Sequence, residues 1–155
     1  MSAEARITEL GLTLPTSFSP AGSYVPWRLT GGGLLYVSGM GPLRADGTHV
    51  AGKVGATVSL EDAYAAARLV GIQLLGAMRV ALGSLDRVEQ IVKVLGMVNT
   101  APAFNQTPAV INGCSDLMIE VFGDAGRHAR SAVGMAELPR DICVEIELIA
   151  EVSSP

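Results

Sequence analysis

The sequence predicts a single α+β domain in which a mixed β-sheet carries two helices packed on one face. Apolar residues recur at helical spacing across residues 59–83 and again across 107–123, which predicts the two helices. The segments around them are short, rich in β-branched residues and bounded by glycine or proline, which predicts the strands. A chain of 155 residues is also an ordinary length for one domain with its own core.

The N-terminal part predicts a short helix, a connector and a β-hairpin. Residues 2–10 have apolar side chains at helical spacing and are followed by Gly11, a residue that commonly ends helices. Residues 14–22 are rich in proline and serine, which favours an extended connector. Two short strands at 24–29 and 34–38 are separated by three consecutive glycines, which are typical of a hairpin loop.

The middle of the chain predicts a turn followed by the longest helix. The pair Asp46 and Gly47 is a turn signal, and a loosely paired strand is expected at 50–54. Ser59 opens the helix, and Asp62 three positions later completes a short capping box. The helix face is rich in alanine, which favours close packing on a sheet.

A central strand and a second helix follow. Residues 88–99 are apolar on both sides, which predicts a strand that is covered on both faces. Alternation assigns Val92, Val94 and Val98 to one face and Ile91, Leu95 and Met97 to the other. Thr107 is the expected N-cap of the second helix, with Pro108 at its first helical position.

The C-terminal stretch, residues 130–150, predicts a second β-hairpin. Leu138-Pro-Arg-Asp141 is turn chemistry between two runs of strand-like residues. If Leu138 pairs with Asp141, Arg130 and Glu145 share one face of the hairpin at about 13 Å from each other. That distance is too long for an ion pair, so the register, a bulge or a neighbouring subunit decides whether these two side chains meet. Glu147 lies beside Glu145 on the same face, and the two like charges repel each other.

Composition narrows the classes of function. Hydrophobic residues make up 49% of the chain, charged residues 17%, and the mean hydropathy is +0.39, so part of the apolar surface is expected in subunit contacts. The net charge is −4 without a basic cluster, which disfavours nucleic-acid binding.

Cys114 and Cys143 have no Cys or His neighbours at metal-ligand spacing, so we expect small buried side chains and neither a disulfide nor a metal site. A signal peptide and a membrane span are not expected, which favours a cytoplasmic protein.

Four segments resemble signatures of the RidA/YjgF family. Residues 128–134 (HARSAVG) and 136–147 (AELPRDICVEIE) closely resemble its C-terminal signature. Residues 24–26 (YVP) and 37–39 (VSG) resemble its two N-terminal landmarks. The resemblance covers nearly the whole chain.

The resemblance implies a chorismate-mutase-like α+β fold that assembles as a homotrimer with small-molecule clefts between subunits. It assigns residues 20–152 to the RidA-like domain and residues 1–19 to an N-terminal extension made of a short helix and a connector. The oligomer agrees with the layer argument, since helices on one face of a sheet leave the other face to be covered.

The resemblance also implies an activity, the hydrolysis of 2-aminoacrylate-type enamines and imines to 2-keto acids and ammonia. The signature arginine, which grips the substrate carboxylate, falls on Arg130, and a guanidinium suits this role because it donates two parallel hydrogen bonds. Glu145 corresponds to the residue that orients the attacking water. The remaining expected substrate-binding positions are Tyr24, Ser38, Gly39 and Asn112. No cofactor or metal is expected.

Departures from the family pattern and alternative interpretations stay open. Ala132 stands where a Cys or Thr is frequent and Met40 where a Gln is common, which indicates a divergent subgroup. Arg130 and Glu145 could instead form an ion pair that stabilises a subunit interface. The same cleft could bind a small carboxylic acid without catalysis. RNA cleavage, attached to some family members by name, is disfavoured by the acidic composition.

Overall fold

The computed structural model describes residues 2–153 and has the α+β architecture that the sequence predicts. A five-stranded mixed sheet carries helices on one face, with the strand order β1-β2-β5-β3-β4. The strands are β1 Trp27–Leu29, β2 Leu34–Met40, β3 Val88–Asn99, β4 Ala129–Met135 and β5 Val144–Val152. The helices are α1 Ala3–Glu9, α2 Leu60–Leu82 and α3 Thr107–Phe122.

The helix ends follow the predicted capping chemistry with one exception. The Ser59 hydroxyl accepts a hydrogen bond from the Asp62 amide and donates one to its carboxylate, and Gly83 ends α2 in the left-handed conformation with φ 82°. The N-cap predicted at Thr107 is wrong. Gln106 is the cap of α3, and Thr107 is the first residue of the helix. The Thr107 hydroxyl donates to the Ala132 carbonyl and so connects α3 to β4.

The predicted C-terminal hairpin is also wrong, because β3 lies between β4 and β5. β4 pairs with β3 in parallel, and β5 pairs with β3 in antiparallel orientation. The segment between β4 and β5 contains a short 3-10 turn, and it crosses the end of β3, where the Asn99 amide donates to the Cys143 carbonyl. A parallel neighbour needs a long crossover, and α3 supplies it as the helix of a β3-α3-β4 unit.

A bulge in β3 changes the predicted division of its faces. Ile91 pairs with Ala150 and Lys93 with Ile149, so β3 has one residue more than β5 at this point. Ile91 therefore joins Val94 and Val98 on the buried face rather than opposing them. Leu95 and Met97 on the other face are half-buried, so within one chain the strand is covered on one face only.

The segment predicted as a strand at 50–54 is a loop tied to the sheet by isolated bridges, including Ala51 to Ile142 and Val54 to Thr100. The Lys53 ammonium donates to the Asn99 side-chain oxygen, and the Asn99 amide donates to Asp141. These bonds fix the turn before β5, where Asp141 has a left-handed φ of 54°.

The core lies between the sheet and the two long helices. Gly113 allows α3 to approach α2 closely, since a Cβ there would lie 2.0 Å from the Tyr64 carbonyl oxygen. Cys114 and Cys143 are free and buried as predicted, and burial raises the pKa of the Cys114 thiol to about 12. α2 is long and apolar enough to cross a membrane, but 56% of its most apolar part is buried, as in a core helix.

Candidate functional site

Arg130 lies on the edge strand β4 and points to the helix side of the sheet, where it contacts α3. One guanidinium nitrogen, Nη1, donates to the Asn112 Oδ1 at 2.9 Å and to the Ser115 Oγ at 3.0 Å. Among residues 2–153, Arg130 has no acidic side chain within ion-pair distance. The half-buried cation is therefore held in place by neutral groups.

Two further side chains at this position, Ser115 and His128, were not predicted as site residues. The His128 Nε2 lies 3.0 Å from the Ser115 Oγ, and its Nδ1 lies 2.7 Å from the Gly126 carbonyl oxygen. Burial is the main cause that lowers the pKa of His128, and the nearby charge of Arg130 lowers it further. The spacing of Asn112 and Ser115 was an available signal, because side chains three apart in a helix share a face.

These residues open onto a surface depression of about 260 Å³ between α3 and the start of β4. We call it the arginine groove. Its walls include Asn112, Ser115, Ile119, Arg127, His128 and Arg130.

Glu145 lies on β5 and points to the other side of the sheet. Its neighbours on β3 and β4 along the same row are Met97 and Val133. Glu145 is half-buried, and its pKa is raised mainly by burial and additionally by the charge of Glu147. Its Oε1 lies so close to Gly39 that a Cβ on that glycine would be 2.2 Å away. The glycine thus leaves the space that the carboxylate occupies.

Arg130 and Glu145 do not share a face, so this part of the hairpin prediction is wrong. Arg130 pairs with Val94, whose neighbour Leu148 is buried under the helices, and Glu145 is three residues from Leu148 with the opposite orientation. Two strand spacings and three residues separate their Cα atoms by about 14 Å. Within one chain they cannot act on the same small molecule.

The other predicted residues divide between these two regions. Asn112 lies against Arg130, as the hydrogen bond above shows, whereas Ser38 and Gly39 lie on β2 beside β5. The Ser38 hydroxyl donates to the Val25 carbonyl at 2.7 Å. Tyr24 is 50% exposed in the adjoining loop, and its hydroxyl accepts from the Ala21 amide. Their roles as cleft residues stay predictions.

The surface of the sheet that bears Glu145 is partly apolar. We call it the open face and define it by Tyr36, Leu95, Met97, Val133 and Ile149, together with Glu145 and Glu147. Tyr36 is 44% exposed and Val133 is 41% exposed. Across residues 2–153, no three His, Cys, Asp or Glu side chains are grouped so that they could hold a metal ion.

A larger cavity of about 550 Å³ lies between the loop after β2 and the start of α2. It is lined by Arg44, Thr57 and Asp62 and by apolar side chains including Leu69. None of the predicted site residues lines it. The predicted site residues therefore lie away from this larger cavity.

Comparison with known proteins gives consistent results over nearly the whole chain. A family model described as "YjgF/chorismate mutase-like, putative endoribonuclease" matches residues 4–152. Protein TCP17 of Trypanosoma cruzi is 40% identical over 97% of this chain and 94% of its own. A crystal structure of a protein of unknown function from Agrobacterium tumefaciens is 42% identical, with a TM-score of 0.88 and coverage of 97% and 94%.

A protein of Shewanella oneidensis MR-1, described as a "putative endoribonuclease", is 31% identical to this chain. Its structure matches with a TM-score of 0.93 and covers 98% of this chain and 100% of its own. The resemblance in the sequence motifs, the fold and the match over residues 4–152 agree. The chain belongs to the YjgF/RidA family.

Proposed function

We propose that this protein is a hydrolytic deaminase of small reactive enamines and imines of the 2-aminoacrylate type, releasing 2-keto acids and ammonia. The observation that carries the proposal is that neutral partners orient the Arg130 guanidinium, which has no ion-pair partner among residues 2–153. Family membership supports a Rid-type role, and the substrate class rests on the resemblance of the signature residues.

Arg130 is suited to hold the substrate carboxylate. Asn112 and Ser115 occupy Nη1 and fix the guanidinium plane, while Nη2 makes only a long contact of 3.4 Å to the Pro108 carbonyl. A charged donor with unused capacity in a half-buried position binds a carboxylate strongly, because both partners gain charge-assisted hydrogen bonds. Since the guanidinium is already ordered, less conformational entropy is lost on binding.

Glu145 is suited to act on water. Burial and Glu147 raise the pKa of its carboxyl group, which improves it as a base and as the acid that follows. In the proposed step it accepts a proton from water as the oxygen attacks the imine carbon. It returns this proton to the nitrogen to give the carbinolamine. The hydroxyl then passes its proton through Glu145 to the nitrogen as it becomes the keto group, the C–N bond breaks and ammonia leaves.

The proposal requires an oligomer, because the two groups lie on opposite faces of one chain. We infer a homotrimer in which Arg130 approaches Glu145 of the partner subunit across a shared cleft. The exposed apolar side chains of the open face, Tyr36 and Val133 among them, support burial of this surface. The free edge of β4, which carries Arg130, supports a contact at that edge.

The test generates imines in situ with an amino-acid oxidase and measures keto-acid and ammonia release with and without the protein. We expect acceleration by the wild type and its loss in Arg130→Ala and Glu145→Gln. Arg140→Ala and Glu137→Gln are matched controls, because both residues are exposed and lie outside the two regions described above. No acceleration with any of several amino-acid-derived imines would refute the proposal.

A second candidate is binding of a small carboxylic acid without turnover. The separation of Glu145 from Arg130 in one chain favours it, because the arginine groove alone can hold an anion. Calorimetry with pyruvate distinguishes the two functions. Binding that survives Glu145→Gln, without imine turnover by the wild type, supports the binding protein.

RNA cleavage is the activity that the description of the Shewanella relative suggests. The net charge of −4 disfavours it here, since RNA binding relies on basic residues that neutralise phosphates. An RNA degradation assay with heat-treated protein as control tests this directly. If the wild type cleaves RNA and Arg130→Ala does not, RNA cleavage becomes the better supported function.

A further inference from the structure

The arginine groove contains a pair of side chains to which the proposed deamination assigns no chemical step. Ser115 on α3 and His128 before β4 are linked by a hydrogen bond of 3.0 Å. His128 is fixed on its other side by the Gly126 carbonyl at 2.7 Å. This is the arrangement of an activated nucleophile, in which a base contacts the nucleophile and a third group orients the base.

The proton positions follow from the partners. A carbonyl oxygen only accepts, so the His128 Nδ1 carries the hydrogen that is donated to Gly126. In the neutral ring Nε2 is then an acceptor, and the Ser115 hydroxyl donates to it. Burial lowers the pKa of His128, so the neutral form that this geometry needs predominates at neutral pH.

We propose that Ser115 is a nucleophile with His128 as its general base, and that the arginine groove hydrolyses small esters of short carboxylic acids. The Ser115 oxygen attacks the ester carbonyl carbon while its proton passes to the His128 Nε2. The proton then goes to the departing alkoxide, which leaves as the alcohol. Water, deprotonated by His128, cleaves the acyl-serine, and the products are the free acid and the restored serine.

Two groups are placed to stabilise the negative charge that develops on the carbonyl oxygen. The Arg130 Nη1 donates to the Ser115 Oγ at 3.0 Å, which places the guanidinium charge beside the reacting atom, and its Nη2, with only the 3.4 Å contact to the Pro108 carbonyl, has a hydrogen left for the carbonyl oxygen. Asn112, one helical turn before Ser115, uses its Oδ1 as acceptor for Arg130, and its Nδ2 makes no hydrogen bond within residues 2–153. That amide is therefore available as a second donor.

The dimensions of the groove limit the substrate. Its volume of about 260 Å³ is below the usual range for drug-sized ligands, and Ser115 is only 8% exposed. The acyl group that reaches the serine must be short, such as acetyl, while the alcohol part extends into solvent. Ile119 supplies an apolar wall for the acyl chain.

The experiment combines hydrolysis of p-nitrophenyl acetate with a fluorophosphonate probe and peptide mapping by mass spectrometry. On the wild type, the label is expected on Ser115. Ser115→Ala and His128→Gln are each expected to lower the hydrolysis rate about 100-fold or more, the usual contribution of a general base. Ser17→Ala is the matched control, because Ser17 is exposed and outside the groove.

The rate is expected to rise with pH as His128 loses its proton, with a midpoint below the ordinary pKa of a histidine. The charged groups that line the groove around His128 are Arg127, Arg130 and Asp116. Absence of label on Ser115, or an unchanged rate in Ser115→Ala, would overturn the proposal. The labelling is measured on the wild type, so this result does not depend on whether a variant folds. Ester hydrolysis and imine deamination yield different products, so the failure of one activity is distinguishable from the failure of the other.

Discussion

The arginine groove and the open face differ in how many hydrogen bonds their polar side chains make within a single chain. In the groove, Arg130, Ser115 and His128 form a connected set of hydrogen bonds that ends on the Gly126 carbonyl. On the open face, Glu145 makes no side-chain hydrogen bond within the described residues, and the charge of Glu147 opposes its ionisation.

The comparison indicates which of the two regions is preorganised. The groove is assembled by contacts between α3 and β4, so its geometry does not depend on a neighbouring chain. The Glu145 carboxylate, by contrast, occupies the space beside Gly39 and is surrounded by a partly apolar surface. A half-buried carboxylate without a donor is costly, and a bound molecule or a partner subunit would offset that cost.

The largest expected effect comes from removing the guanidinium. Arg130→Ala should reduce kcat/KM for an amino-acid-derived imine by about 100-fold or more, because charged hydrogen bonds each contribute about 1.5–3 kcal/mol. Arg130→Lys should lie between alanine and wild type, since an ammonium offers a point charge without the planar fork. Steady-state kinetics on both variants check this. Equal activity of the lysine variant and wild type would contradict bidentate binding.

A charge on the open face should break the assembly. Val133→Glu adds a carboxylate to a face that already carries Glu145 and Glu147, and burying it against a partner would cost several kcal/mol. We expect sedimentation to shift toward the monomer, with loss of imine turnover. Val80→Glu is the matched control, because Val80 on α2 is 42% exposed and Val133 is 41% exposed. The same oligomer for both variants would argue against the open face as an interface.

The sequence indicated elements and ends better than it indicated neighbours. The capping of α2 by Ser59 and Asp62 is local chemistry, and it was correctly predicted. The turn at Pro139–Asp141 was also recognised, but a turn shows that the chain bends and not which strand it then joins. The order strand, helix, strand at β3, α3 and β4 contained the missing information, since it is typical of a parallel pair.

The same limitation decided how much of the site could be predicted. Arg130 and Glu145 were chosen by residue type and resemblance, but their faces depend on pairing with β3. Ser115 was hidden within the apolar pattern of α3, between Cys114 and Leu117, because the helix pattern does not distinguish a buried serine from a core position. His128 stood beside the signature arginine, yet only the tertiary structure brings it to Ser115.

A smaller effect is expected at the glycine that borders Glu145. Gly39→Ala would place a Cβ 2.2 Å from the Glu145 Oε1, so the carboxylate must move. We expect reduced turnover and a destabilisation at the low end of the about 1–3 kcal/mol typical of overpacked positions, because the crowded atom is the end of a flexible side chain. Gly31→Ala is the control, since a Cβ added at Gly31 would have no atom within 4 Å. Denaturant unfolding measures both, and equal stabilities would show that Glu145 moves without cost.

The smallest effect tests the electrostatics of the open face. Burial raises the pKa of Glu145 first and the charge of Glu147 second, so Glu147→Gln should lower that pKa without restoring its ordinary value. A carboxyl group with a raised folded-state pKa contributes stability that is present at low pH and lost as pH rises through that pKa. Glu147→Gln should therefore lose less stability than wild type on going from acid to neutral pH.

NMR titration of the Glu145 side chain measures the change in its pKa, and thermal unfolding at several pH values measures the change in stability. Glu151→Gln, on the same strand and hydrogen-bonded to Gln90, is the control that should leave the titration of Glu145 in place. An identical titration in Glu147→Gln and wild type would mean that desolvation alone sets the acidity of Glu145, and the contrast with the paired groups of the groove would then rest on burial rather than on repulsion.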